Sequence, residues 1–391
     1  MNLVFFDPAQ SSGLLPLTYT RPVAELSIGG LTISQKWNKR LNTEGSWLTK
    51  EYLQPIYPFR FTTDNTFING AVLPNDVLVS EVTQLALGHG LRDKNGTIAW
   101  RSGQWSSDLM PQEIIWHEFE SEVTRILNSY DIFTVNAQEI QADFDLLTRS
   151  AISAPIPSWV QCNDSSKVFV ADHAQLEHCT LNTSQGPIYI GSGAQIMDGA
   201  LLRGPLFIGD NAVIKMGAKI YGGTTIGPYC KAGGEISNSV MMGYSNKGHD
   251  GFLGNSVLGF WCNLGADTNT SNLKNNYDEV RLWDYARERF VHTGLQFCGL
   301  IMGDHSKCAI NTAFNTGTVV GVSANVFGAG FPKNFIPSFS WGGAGSMTTY
   351  SLNKAVETAK RVTQRRGIEW TAQDQGVFEA IFEASKSWRR D

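Results

Sequence analysis

The chain has 391 residues, and its 31 Lys and Arg against 36 Asp and Glu give a formal charge of −5, which argues against a polyanion-binding protein. With 42% hydrophobic and 17% charged residues it can bury a sizeable core and is not a disordered chain. No apolar run reaches the roughly 18 residues of a membrane span, the start MNLVFFDPAQ lacks signal-peptide character, and six scattered cysteines form no CxxC pair, so the expectation is a cytoplasmic protein with reduced thiols, no metal site, and no membrane or nucleic-acid partner.

In chain order, residues 1–150 alternate short β-like runs (LVFF, TFING, DVLVS) with helical stretches near 31–41 and 139–148, which predicts an α/β domain. SAISAPIPSWVQCNDSS, residues 150–166, is a Pro- and Ser-rich boundary. Beyond it every sixth position is aliphatic through Ile190, Ile196, Leu202, Ile208, Ile214, Ile220 and Ile226, and Gly191, Gly209 and Gly227 follow three of them. Neither a helical period nor a period of two produces this. Hexads predict a parallel β-helix in which each hexad is one short strand plus a turn, with the aliphatic pointing inward. The pattern resumes at Phe252, Leu258 and Leu264, then at Met302, Cys308, Phe314, Val320 and Val326, which places the coil domain at 165–345. Residues 272–296, rich in charge and aromatics, separate the last two blocks and should protrude; a connection of that length points to function. In the final segment, 346–391, two helices are expected near 352–366 and 372–388. Val356, Ala359 and Val362, then Phe378, Ile381 and Phe382, form apolar faces for the coil or a neighbouring subunit.

The chemistry-bearing stretch is GHDGFLGNSVLGFWCNLGADTNTSNLKNNY, residues 248–277, with a Gly248-His249 pair, Asn263 inside a hexad, a Gly265-Ala266 turn and Asn272. Here the chain resembles the family of bifunctional N-acetylglucosamine-1-phosphate uridyltransferase/glucosamine-1-phosphate N-acetyltransferases, down to the five-residue step from Leu253 to Leu258. The resemblance implies a left-handed β-helix and a homotrimer with acetyl-CoA as cosubstrate between adjacent coils. It also implies His249 as the base that deprotonates the amine, and Asn263 and Asn272 as ligands of the amino-sugar phosphate. The chemistry agrees, because an ammonium must lose a proton before it attacks a thioester and imidazole titrates near neutral pH. Phe252 stands where the family has Tyr, Lys219 where it has its first phosphate-binding Arg, and Ser237 near its next Lys. Phe252 and Lys219 are therefore substrate-binding positions with altered recognition. Arg281, Arg287 and Arg289 in the long connection could donate to phosphate. His292 and His305 are alternative bases, each set against an ordinary turn position.

GLLPLTYTRPVAEL, residues 13–26, faintly resembles the start of sugar nucleotidyltransferases, which makes Gly13 and Arg21 candidate nucleotide-binding residues. Only Gly13 remains of the Gly-rich loop, and Val23 stands in place of the Lys. In FINGAVLPND, Ala71 occupies the place of the family's metal-binding Asp, so Mg²⁺ enters only if the domain is active, with Asp7, Asp76 or Lys36 as substitutes. The compact arrangement resembles the Bacteroides-type sugar nucleotidyltransferase form. The expected function is acetyl-CoA-dependent N-acetylation of a hexosamine 1-phosphate on the β-helix, joined to a nucleotidyltransferase-like domain. The alternatives are a fully bifunctional enzyme making a UDP-amino sugar and a non-catalytic trimer that binds nucleotide sugars.

Overall fold

The computed structural model describes residues 2–104 and 113–389. The chain divides into two compact units. One is drawn from residues up to 128, less 15–19 and 27–30; the other takes those two stretches together with 129 onward.

The first unit is built on a six-stranded sheet of β1 (Asn2–Phe6), β2 (Gly45–Leu48), β3 (Asn65–Asn69), β4 (His89–Asp93), β5 (Gly96–Ser102) and β6 (Ile115–Glu118), in the order β2-β1-β3-β5-β4-β6. β1 pairs parallel with both β2 and β3, and β5 pairs antiparallel with β3 and β4. The run NLVFF makes a central strand because Leu3, Val4 and Phe5 are buried on both faces. Helix α1 (Ile33–Leu41) starts at a Thr32/Gln35 capping box, and its Trp37 is fully buried, with the indole donating to the Val72 carbonyl at 2.9 Å. DVLVS is not a strand. It opens α2 (Asp76–Gln84), because the Asn75 side chain caps the Leu78 amide and Leu78 and Val82 share one buried face at helical spacing.

The second unit is a three-sided, left-handed parallel β-helix. Its first face has nine strands, from Val168–Val170 to Phe335–Ile336, and its second has ten, from Gln175–Leu176 to Met347–Thr349. The third face has six strands, from Gln161–Cys162 to Phe252–Gly254, followed by the pair Asn269–Thr270 and Ala313–Phe314. Ile190, Ile208 and Ile226 lie in register on the first face, Ile196 and Ile214 on the second, Leu202 and Ile220 on the third. All seven are at most 2% exposed. One turn of the coil thus takes three hexads, and stacked turns bury a continuous aliphatic column.

Two expectations change in the coil. Phe252 is not an inward position: it pairs with outward Glu235, while its neighbour Leu253 is fully buried beside Ile236. The cause is the corner after Phe252–Gly254, one residue shorter than a full hexad, which leaves the inward residues Leu253 and Leu258 five apart; the corner at Gly233-Gly234 is also short, by two residues, between inward Ala232 and Ile236. The 272–296 connection does not simply protrude. It forms an antiparallel hairpin, Arg281–Asp284 with Arg289–His292, whose Val280, Leu282 and Tyr285 are buried and whose Trp283 stacks on coil residue Phe335 at 4.2 Å.

The first face is covered from within the unit. Helix α3 (Asp131–Thr148) lies over it, and Asn136 donates to the Gly223 carbonyl at 2.8 Å and the Thr225 hydroxyl at 3.0 Å. α4 (Leu352–Gln364) and α5 (Ala372–Ala384) follow the coil, and Phe378 and Phe382 of α5 pack edge-on against Phe339. Among the described residues no helix is long and apolar enough to cross a membrane. All six cysteines are unpaired thiols, five of them buried, and burial pushes Cys230 and Cys298 up to about 12.

Candidate functional site

His249 sits on a corner between the second and third faces, exposed, between Asn246–Lys247 and Phe252–Gly254. The corner beneath it, in the preceding turn, is the short Gly233-Gly234. A Cβ on Gly234 (φ +70°) would lie 2.9 Å from the His249 carbonyl and 2.7 Å from that of Gly251, so only glycine lets the His249 turn settle there. From inside the prism the turn is held by Lys247. Lys247 occupies the inward register of Ala232, is 2% exposed, and donates its ammonium protons to the carbonyls of His249 and, at 3.0 Å, Asp250. Burial lowers Lys247 to about 8, opposed by the charges of Asp250 and Asp267. A lysine in an aliphatic column is costly unless its protons are used. Here they fix the backbone that carries the exposed imidazole.

The adjoining third face lines up Lys219, Glu235 and Phe252 outward in successive turns. Its far corner brings Asn272 to the same strand: a Cβ on Gly254 would meet the Phe252 ring at 2.5 Å and the Asn272 amide at 2.6 Å. Asn272 donates to the Asn255 side chain at 2.8 Å. Phe252 and Asn272 are therefore neighbours, with Lys219 two turns earlier and His249 at the near edge. Asn263 lies on the second face, exposed, in register with Asn246 and Lys307. Sequence reasoning missed Lys215 and Lys231, whose side chains meet near the same corner. Burial, and then the positive charges of Arg366, Lys215 and Arg365, lower the Lys231 ammonium from its ordinary value. Their signal is a cation one turn of the coil before the Gly-His pair.

The alternative bases occupy other surroundings. His305 is 7% exposed at a positive-φ corner (φ 60°), enclosed by Trp261, Trp370 and Phe378 at ring separations of 5.2–6.0 Å. His292 is exposed on the hairpin, 3.2 Å from the Glu279 carboxylate. Arg287 lies 4.0 Å from Asp284, while Arg281 and Arg289 are exposed on the hairpin strands.

In the first unit the carboxyl ends of β1, β2 and β3 mark the crevice where ligands enter open α/β sheets. The acidic side chains of that crevice are bonded to their neighbours. Asp7 is half-buried, accepting from the Thr49 hydroxyl at 2.5 Å and the Val23 amide at 2.7 Å. Burial raises its carboxyl against the pull of those bonds and of Lys50. Glu25 is likewise raised by burial, against hydrogen bonds from Ser34 and Trp47 and the charge of Arg21. Arg21 is itself 5% exposed. Gly13 packs on the Leu127 backbone and the Asn128 side chain, where a Cβ would stand 2.5 Å from the Leu127 carbonyl oxygen. Lys36 is buried in α1, and Asp76 is exposed, 4.0 Å from Arg40. Ala71 is buried, and among the described residues no three His, Cys, Asp or Glu side chains converge to hold a metal. The residues here do not fit a Mg²⁺ ion.

Residues 3–152 match the protein family described as sugar nucleotidyl transferase. Beyond that class, the chain is similar to the bifunctional protein GlmU of Methanococcus aeolicus, 32% identical over 87 residues, and to that of Methanocaldococcus jannaschii, 31% identical over 87 residues. Each match covers 22% of this chain and 20% or 21% of the relative, so the chain matches about a fifth of the length of these curated relatives. Among solved structures, the polySia specific acetyltransferase NeuO aligns at 15% identity over 53% of this chain and 96% of that one, with a TM-score of 0.30.

Proposed function

We propose that the chain is an amino-sugar activation enzyme that N-acetylates a hexosamine 1-phosphate from acetyl-CoA, with a first domain that binds a nucleotide sugar without Mg²⁺-dependent transfer. The domains are those of the sequence, 1–150, 165–345 and 346–391. The observation that carries the reading is the His249 corner: an exposed imidazole on a turn seated on Gly233-Gly234 and held from within by Lys247. His249 takes a proton from the sugar amine, the amine nitrogen bonds to the thioester carbonyl carbon, the carbon–sulfur bond breaks, and the imidazole returns the proton to the sulfur of CoA. Lys219 and Lys231 face the phosphate, and Asn263, Asn272 and Phe252 contact the sugar. The enzyme works as a homotrimer in the cytoplasm, where thiols remain unpaired. Supporting the trimer, Leu201, Met216, Tyr221 and Ile310 are 41–69% exposed along the His249 edge and the third face, whereas the first face is already covered.

The test is thiol release by the full chain with acetyl-CoA and glucosamine 1-phosphate. His249→Ala should lower kcat by about 10² to 10⁴ and leave the assembly mass unchanged, while His305→Ala keeps most of the rate. Loss of activity in the His305 variant with near-normal kcat in the His249 variant would move the site to the later turn, and absence of thiol release with any hexosamine 1-phosphate would reject the reaction.

A further inference from the structure

A second region of the coil unit lies away from the His249 corner and takes no part in the proposed reaction. Under the 272–296 hairpin, where the third face turns into the first, a cavity of about 1030 Å³ opens between the hairpin, the last turns of the coil and residues 387–389. That volume lies at the top of the roughly 300–1,000 Å³ range of small-molecule sites. Four cations line it from separate segments: Lys274 before the hairpin, Arg281 on it, Lys333 at the end of the coil, and Arg389, whose guanidinium donates to the Ser385 hydroxyl and the Phe382 carbonyl. No Asp or Glu is among the described lining residues. Arg281 and Lys333 are exposed, with no ion-pair partner among the described residues, and Lys274 donates to the Glu279 backbone carbonyl, which leaves its charge unneutralised. A cluster of cations in a chain of net charge −5 repels itself unless an anion joins it.

The same cavity has an aromatic wall. Trp283 and Phe335 stack with 10° between their planes, Trp388 stands beside them, and the indole N–H groups of Trp283 and Trp388 have no acceptor among the described residues. Aromatic faces bind the π-face of any base, while guanidinium and ammonium groups bind phosphate oxygens. We infer that this cavity is a binding site for a nucleoside diphosphate moiety, its base against Trp283 and Trp388 and its diphosphate on Lys274, Arg281 and Lys333. Two ligands carry that moiety, an acyl-CoA and a nucleotide sugar. The site stands apart from the acetyl-transfer reading, because its occupancy requires no chemistry at His249.

Titration calorimetry of the full chain with CoA, ADP, UDP, a UDP-sugar and inorganic pyrophosphate tests the inference. At least one nucleotide should bind, with affinity falling tenfold or more in the Arg281→Ala/Lys333→Ala double variant. Trp283→Ala should weaken binding, and Trp283→Phe should restore most of it. His249→Ala should leave it unchanged, which keeps failure of this site distinct from failure of the proposed reaction. CoA and ADP binding more tightly than UDP identifies the acyl donor as the source; UDP and the UDP-sugar binding more tightly identifies the nucleotide sugar. The inference is overturned if no probe binds, if pyrophosphate binds as well as the nucleotides, or if the double variant, matched to wild type in thermal unfolding, binds equally well.

Discussion

The crevice of the first unit and the His249 corner of the coil both combine charged side chains with glycines, and they use them in opposite ways. In the crevice, Asp7 and Glu25 spend their oxygens on Thr49, Val23, Ser34 and Trp47, and Gly13 exists so that the chain can lie on Leu127. At the corner, Lys247 works inward on backbone carbonyls, Gly234 admits the turn, and His249 and Lys219 remain exposed to solvent. A glycine or a charge in a site motif therefore says little until its partners are known: the same residue types close one place and open the other.

The largest expected effect that could break this contrast comes from Gly234→Ala. The added methyl must displace the His249 turn, so kcat for acetyl transfer should fall by about 10- to 100-fold with the assembly mass unchanged. Unchanged kcat would mean that the turn does not position the base. Gly13→Ala should cost about 1–3 kcal/mol of stability, read as a lower midpoint in denaturant, with acetyl transfer intact. Weaker nucleotide binding at unchanged stability would instead return Gly13 to a phosphate cradle. Lys231→Ala should raise KM for the sugar phosphate by about 5- to 20-fold with little change in kcat, the pattern of a group that binds ground and transition states alike.

The smallest effect belongs to Lys247. Burial lowers it to about 8, so between that pH and the ordinary lysine value of about 10.4 the unfolded chain holds a proton that the folded chain has released. Wild type should gain stability across this window relative to Lys247→Met. A stability difference between the two proteins that stays constant from pH 7.5 to 10 would show that this ammonium is not desolvated.

Much of the coil could be read from the sequence because its rule is local: an inward aliphatic every sixth residue, as the seven positions from Ile190 to Ile226 obey. The rule fails where a corner changes length. One residue fewer between Leu253 and Leu258 shifts the register, which is why Phe252, six before Leu258, read as inward when Leu253 is the buried residue. DVLVS read as a strand from its β-branched residues, but the Asn75 cap and the Leu78/Val82 spacing decided for helix. The hairpin was hidden because Val280, Leu282 and Tyr285 are spread among charges and bury themselves only when the two strands pair. At the site, the Gly248-His249 pair was visible, whereas nothing in the sequence marked Lys247. Its role depends on carbonyls that approach it only after the turn has folded. Lys215 and Lys231 come beside Gly233 and Gly248 through stacking of successive turns, which no contiguous motif records.

Helix α3 carries a consequence for inheritance. The family match ends at residue 152, but by contacts the chain from 129 onward groups with the coil, so α3 falls inside the match and outside the first compact unit. Within the coil unit Asn136 of α3 accepts from the Gly29 amide and donates to Thr225, and the Thr225 hydroxyl donates to the Gly29 carbonyl, a closed ring of buried bonds. Gly30 in turn leaves no room for a side chain against Phe207, where a Cβ would stand 2.2 Å from the ring. The first 150 residues thus contribute part of the β-helix's own cover. A recombination event joining this module to another coil would have to bring matched residues at both Asn136 and Thr225, or leave polar groups buried without partners. Although two modules can be told apart along the chain, they can be exchanged only as a pair.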